Sequence, residues 1–131
     1  MPYISLMTKQ KIALIACVKE KKSEPCAARE MYISPSFKAW MNYAESWGAN
    51  KIYILSGKYG LLELEEEIAP YDVNLNRAAS EERKSWSLGV IQKLSNKTLL
   101  TEDHFLVLAN SIYSEYLIPH LKYHSIPLDI E

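Results

Sequence analysis

The chain has 131 residues, a net charge of -1, 48% apolar and 24% charged side chains, and two cysteines. This composition excludes a disordered chain and a disulfide scaffold, and it is enough for one core-bearing domain over residues 1–131. No apolar run approaches the roughly 18 residues that read as a membrane span, and no secretory leader pattern opens the chain, so a cytoplasmic protein without a membrane partner is expected.

The run Lys11 to Cys17 is nearly all apolar and predicts a central strand covered on both faces. A basic loop with Lys19, Lys21 and Lys22 follows, then a short helical turn over Ala27 to Met31. Ser34-Pro35 is a helix start, with Ser34 as cap and Pro35 at the first helical position. Phe37, Trp40, Met41, Ala44 and Trp47 recur at helical spacing up to a stop at Gly48.

Lys51 to Ser56 predicts the second strand, closed by the turn Ser56-Gly57-Lys58-Tyr59-Gly60. Glu63 to Ala78 reads as mostly irregular. A helix starts at Ser80, with Glu81 and Glu82 in its first turn, and ends near Asn96. Phe105 to Ala109 is a third buried strand. Asn110-Ser111 opens a last helix that turns Tyr113, Tyr116, Leu117 and Leu121 inward, with Pro119 kinking or shortening it. Ile126-Pro127-Leu128 suits a short edge strand.

Strands alternating with helices imply an α/β fold, a three-layer sandwich with a mainly parallel sheet and helices on both faces. The strand ends at Cys17, Ser56 and Asn110 then gather at one sheet edge, where ligands of such folds collect.

Four motifs occur in order: Cys17-Val18-Lys19-Glu20-Lys21, Tyr32-Ile33-Ser34-Pro35-Ser36-Phe37, Ser56-Gly57-Lys58-Tyr59-Gly60-Leu61 and Pro70-Tyr71-Asp72. Together they resemble a family of small uncharacterised bacterial and phage domains, over about residues 11 to 121. That family is distantly similar to the peroxide-stress YaaA group and to the uracil-glycosylase-like domain of archaeosine transglycosylases. The resemblance implies an α/β fold and a link to nucleic acid, nucleobases or N-glycosidic bonds.

Each candidate residue has a structural alternative. Cys17 precedes three lysines, and ammonium groups favour a thiolate; it is otherwise a small residue buried at a strand end. Lys19 with its neighbours suits phosphate or a nucleic-acid backbone, or is a solvated loop. Arg29 presents a planar fork to phosphate or carboxylate, or pairs with a glutamate. Tyr32 and Ser34 flank a helix start that favours anions, although Ser34 is first of all a cap.

Ser56, Gly57, Lys58 and Tyr59 are the leading ligand-binding candidates. The serine and lysine suit polar oxygens, the glycine permits close approach, and the tyrosine suits stacking on a planar ring or packing under the turn. Tyr71 and Asp72 lie in an irregular segment, the kind that often carries function; Asp72 is a candidate acid or base, or a turn cap. Asn110 suits a base edge, or caps the last helix.

His120 and His124 have zinc-compatible spacing without a third ligand, and neither a P-loop nor a G-x-G-x-x-G is present. No metal and no cofactor is therefore expected. Three functions remain open: an enzyme acting on an N-glycosidic bond with Asp72 and Cys17 as catalytic candidates, a non-catalytic nucleotide or nucleic-acid binding module, and a protein-interaction module using exposed Tyr and Trp.

Overall fold

A computed structural model describes residues 9–73 and 75–127. Three apolar strands, β1 (Lys11–Ala16), β3 (Lys51–Ser56) and β6 (His104–Leu108), form the parallel centre of a five-stranded sheet. The sheet order is β4-β3-β1-β6-β7, with β4 (Gly60–Glu63) antiparallel to β3 and β7 (Tyr123–Ser125) parallel to β6. A separate two-stranded ribbon pairs β2 (Cys26–Ala27) with β5 (Glu67–Ile68).

The central strands are buried on both sides, as their unbroken apolar runs require. Ile12 and Leu14 of β1 enter one apolar cluster, while Ala13 and Ile15 enter another. The first cluster is completed by Val90, Ile91 and Leu94 of α3 (Ser80–Lys97), which recur at the helical three- and four-residue spacing. The second is completed by Ala28 and Met31 of α1 (Ala28–Met31) and by Phe37 and Ala44 of α2 (Pro35–Trp47).

The helix boundaries follow local chemistry. The Ser34 hydroxyl accepts from the Phe37 amide at 3.2 Å, and Pro35 opens α2. A cap of this kind is worth about 1 kcal/mol. Gly48 ends the helix at φ 90°, where a side chain would be strained.

Three expectations change. The turn after Ser56 is the tip of a hairpin, in which Ser56 pairs with Gly60 across a three-residue loop, so the segment expected to be irregular from Glu63 begins at the end of a strand. Gly60 sits at φ 76°, the left-handed position that such loops place before the returning strand. The irregular segment is further broken by β5 and by a 3-10 turn at Leu75–Arg77.

The last helix, α4 (Ser111–Ser114), is a single turn, and a separate 3-10 turn at Ile118–His120 carries Pro119. Pro119 has no N–H for a continued helix, and its ring clashes with the carbonyl four residues back. The edge strand lies at Tyr123–Ser125, ahead of the expected Ile126-Pro127-Leu128; Leu128 is outside the described residues. Among the described residues, no helix is long and apolar enough to cross a membrane.

Candidate functional site

Parallel pairing puts the carboxyl ends of β1 and β6 side by side, with Ile15 opposite Leu108. A cavity of about 670 Å³ opens there. The loop after β1 supplies Cys17, Val18, Lys19 and Lys21, and the loop after β6 supplies Ala109 and Asn110. Trp40 reaches it from α2, Tyr113 from α4, and Asp72, Val73, Asn76 and Arg77 from the segment before α3.

The Cys17 amide donates to the Leu55 carbonyl at 2.9 Å, extending the β1–β3 ladder by one residue and fixing the thiol at the sheet edge. Its Sγ lies 3.4 Å from the Tyr113 hydroxyl. Burial, and then the field of that sulfur, push the Tyr113 phenol above the ordinary tyrosine range. Asn110 Oδ1 accepts from the Ile112 amide at 3.1 Å, so its capping role is real, and its Nδ2 carries two further donors.

Lys21 is held in place. Its Nζ donates to the Lys19 carbonyl at 3.3 Å and lies 4.6 Å from the Tyr71 ring centre and 5.8 Å from that of Tyr32. Contacts of a cation with a ring face contribute about 0.5–1 kcal/mol at exposed sites.

Behind the cavity runs a chain of hydroxyls. Ser56 Oγ accepts from the amides of Lys58 at 3.2 Å and Tyr59 at 3.0 Å, and donates to the Tyr71 hydroxyl at 2.8 Å. Tyr71 and Tyr32 share a hydrogen bond of 2.6 Å. Burial is the main cause that pushes the Tyr32 phenol up to about 12, and it also raises Tyr71, with the Cys17 sulfur adding to the latter. Gly57 completes this wall. A Cβ there would stand 3.1 Å from the Val73 carbonyl oxygen and 3.6 Å from the Tyr113 hydroxyl, so the cavity's Val73 segment rests directly on the hairpin backbone.

Charge is distributed unevenly. Lys19, Lys21 and Arg77 line the cavity against one carboxylate, Asp72, in a chain whose net charge is -1. Among the described residues the ion pairs are Arg29–Glu65, Arg83–Glu115 and Lys97–Glu63, and none involves a cavity residue.

The chain belongs to the DUF6884 family, a family of unknown function. The match spans residues 12–131 and therefore every element that builds the cavity. No curated protein and no solved structure matches the chain.

Of the residues singled out in the sequence, this DUF6884 fold brings Cys17, Lys19, Asp72 and Asn110 together at the cavity. Tyr32, Ser56 and Tyr71 form the hydroxyl chain behind it, and Gly57 supports its wall. The others lie apart. Arg29 makes an exposed ion pair with Glu65 at 2.8 Å, and Ser34 is engaged as the α2 cap. Lys58 lies over the Tyr59 ring at 5.4 Å on the hairpin. Tyr59 meets Tyr71 edge to face at 5.4 Å between ring centres and donates to the Ala69 carbonyl at 3.3 Å.

Arg77 and Asn76 carry no local sequence signal of their place at the cavity, and the helical spacing of Trp40 and Tyr113 reads as core. The helical spacing of Trp40 and Tyr113 is a true signal of inward orientation, but it does not distinguish a core wall from a cavity wall. Among the described residues, no cluster of three metal-ligating side chains occurs.

Proposed function

We propose that this protein binds a nucleotide-class ligand in the cavity at the carboxyl ends of β1 and β6. The observation that carries the reading is that one cavity of ligand size combines a cationic excess, Lys19, Lys21 and Arg77 against Asp72, with aromatic side chains, Trp40 and Tyr113. Pockets for small organic ligands span about 300–1,000 Å³, and the cavity's 670 Å³ falls within that range. Its position fits the general rule for open α/β sheets, in which ligands settle outside the strand carboxyl ends. The alternation of strand residues between two helix-completed apolar clusters supports a three-layer arrangement, the kind of fold to which that rule applies. The ordered motifs resemble those of a family of small bacterial and phage domains that is distantly similar to YaaA-like and uracil-glycosylase-like domains, which favours the same ligand class.

A second reading, cleavage of an N-glycosidic bond, is favoured by Asp72. It is the only carboxylate among the cavity-lining residues described. In such a reaction a carboxylate takes a proton from water as the water oxygen bonds to the anomeric carbon, and the base leaves with the electron pair of the broken C–N bond. Cys17, beside the Tyr113 hydroxyl, is positioned to contact the ligand in either reading.

A thermal-shift screen with nucleobases, nucleosides, nucleotides and short single- and double-stranded DNA and RNA tests the proposal. A ligand at a hundred times its dissociation constant stabilises by about 2.7 kcal/mol, which is many degrees for a chain of this length. A hit that is lost in Lys21→Ala supports binding in the cavity. A hit consumed with release of free base, and not consumed by Asp72→Asn although still bound, supports the enzyme. No shift with any of the four ligand classes overturns the nucleotide reading and turns attention to a protein-interaction module.

A further inference from the structure

We infer that the cavity contains a phosphomonoester subsite formed by Lys19, Lys21 and Arg77, so that its ligand carries a terminal phosphate rather than being a bare nucleobase or nucleoside. This rests on the nucleotide reading and narrows it.

The three arginines of the chain are treated differently by the fold. Arg29 is ion-paired with Glu65 and Arg83 with Glu115, each at 2.8 Å. Arg77 is the exception: it lines the cavity, and no ion pair among the described residues includes it. An arginine fork matches phosphate oxygens two at a time.

Its placement is built, not accidental. Leu75, two residues earlier in the same 3-10 turn, is 5% exposed and belongs to the apolar cluster, while the Val73 carbonyl packs against Gly57. These anchors hold the turn carrying Arg77 against the sheet edge. The opposing cations come from a different segment, the loop after β1. There Lys21 is restrained by the Lys19 carbonyl and by two phenol faces, so part of the entropy that a free lysine would lose on binding is already lost.

The charge count selects among phosphates. Three cations and one carboxylate leave the lining at about +2. A phosphomonoester carries about -1.5 to -2 at neutral pH, whereas each internal phosphodiester of a polymer carries one negative charge. The lining charge therefore matches a terminal phosphate. Such a group occurs on free mononucleotides and on the phosphorylated ends of oligonucleotides, and both share the chemistry the subsite recognises.

The test is calorimetric titration of the full chain with AMP, GMP, CMP and UMP, with their four nucleosides, with inorganic phosphate as competitor, and with a dinucleotide with and without a 5′-phosphate. The same titrations are run on Arg77→Ala, Arg77→Lys and Lys19→Ala. Arg77 and Lys19 are exposed, so these variants are expected to melt with the wild type. The expected result is that at least one monophosphate binds ten-fold or more tighter than its nucleoside. That ratio falls toward one in Arg77→Ala and recovers in part in Arg77→Lys, and phosphate competes. Equal affinity of a monophosphate and its nucleoside overturns the subsite while the nucleotide reading survives. No binding of any monophosphate or nucleoside, phosphorylated dinucleotide included, overturns both. Preference for the phosphorylated dinucleotide over the mononucleotides assigns the phosphate to a nucleic-acid end; the reverse assigns it to a free nucleotide.

Discussion

Tyr71→Phe removes a single oxygen at the junction between the hairpin and the cavity wall. Ser56 Oγ already accepts from two amides, so its proton goes to Tyr71, and Tyr71 also bonds to Tyr32. Ser56 is 0% exposed and Tyr32 is 2% exposed, so neither residue has ready access to replacement water. Ser56 keeps its two amide donors but its proton loses its acceptor, and Tyr32 loses its bond to Tyr71; each such unsatisfied buried group costs about 1–3 kcal/mol. Tyr71 itself is only half-buried, which admits some water at the vacated position; the lower end for each hydroxyl gives a total of about 2 kcal/mol. With an unfolding entropy of about 2.1 cal/mol/K per residue, the whole chain has about 0.28 kcal/mol/K, and Tm falls by about 7 °C.

Tyr59→Phe is the control. It loses two long, exposed bonds to Ala69, one to its carbonyl at 3.3 Å and one from its amide at 3.4 Å, and shifts Tm by less than about 2 °C. Calorimetry on the two variants, with Ser56→Ala alone and combined with Tyr71→Phe, gives the coupling directly. The Ser56 and Tyr71 changes should be non-additive by about 1 kcal/mol. A Tyr71→Phe variant that melts within 2 °C of wild type refutes the argument, because the hydroxyl chain would then contribute no more than a surface contact.

Three further outcomes are expected. Asp103 is 1% exposed and its two carboxylate oxygens accept from the Gln10 and Leu99 amides, each at 2.9 Å, so Asp103→Ala costs about 3 kcal/mol in urea unfolding and Asp103→Asn, which keeps one acceptor, costs about half as much; an Asn variant less stable than the Ala variant contradicts this. Burial is the first cause that raises the phenols of Tyr32, Tyr53, Tyr71 and Tyr113, with Tyr32 near 12, so their contribution to stability is complete below the unfolded tyrosine value of about 10 and is lost as pH climbs from there through 12 and beyond. At pH 11 the folded protein should therefore show about three fewer tyrosinates by ultraviolet absorbance than the urea-unfolded chain, from Tyr32, Tyr71 and Tyr113, and equal counts would mean the phenols are solvated. Both cysteines are free thiols, but only Cys17 lines the cavity, so a bound nucleotide should slow iodoacetamide labelling at Cys17 and leave Cys26 unchanged in a mass-spectrometric time course; equal protection of both argues against binding there.

The central strands, the long helices and their caps were legible in the chain, because each is written in local chemistry. Lys11–Ala16, Lys51–Ser56 and His104–Leu108 are short apolar runs bounded by polar residues; Ser34, Pro35 and Gly48 mark the ends of a helix whose apolar residues repeat every three or four positions. The strand-end location of the cavity follows from the same elements, since parallel strands place their carboxyl ends together. What the chain did not display was pairing. The Gly60–Glu63 strand is only four residues and has meaning only as the partner of Ser56–Tyr53, and the ribbon of Cys26–Ala27 with Glu67–Ile68 joins segments that are 40 residues apart. Nor could local pattern separate Arg77, lining the cavity, from Arg29, neutralised by Glu65. Both are arginines in single short turns, Ala28–Met31 and Leu75–Arg77, each with one or two core residues beside them. Their difference is set by which distant residues the fold places beside them, and that is decided by tertiary packing rather than by neighbours in the sequence.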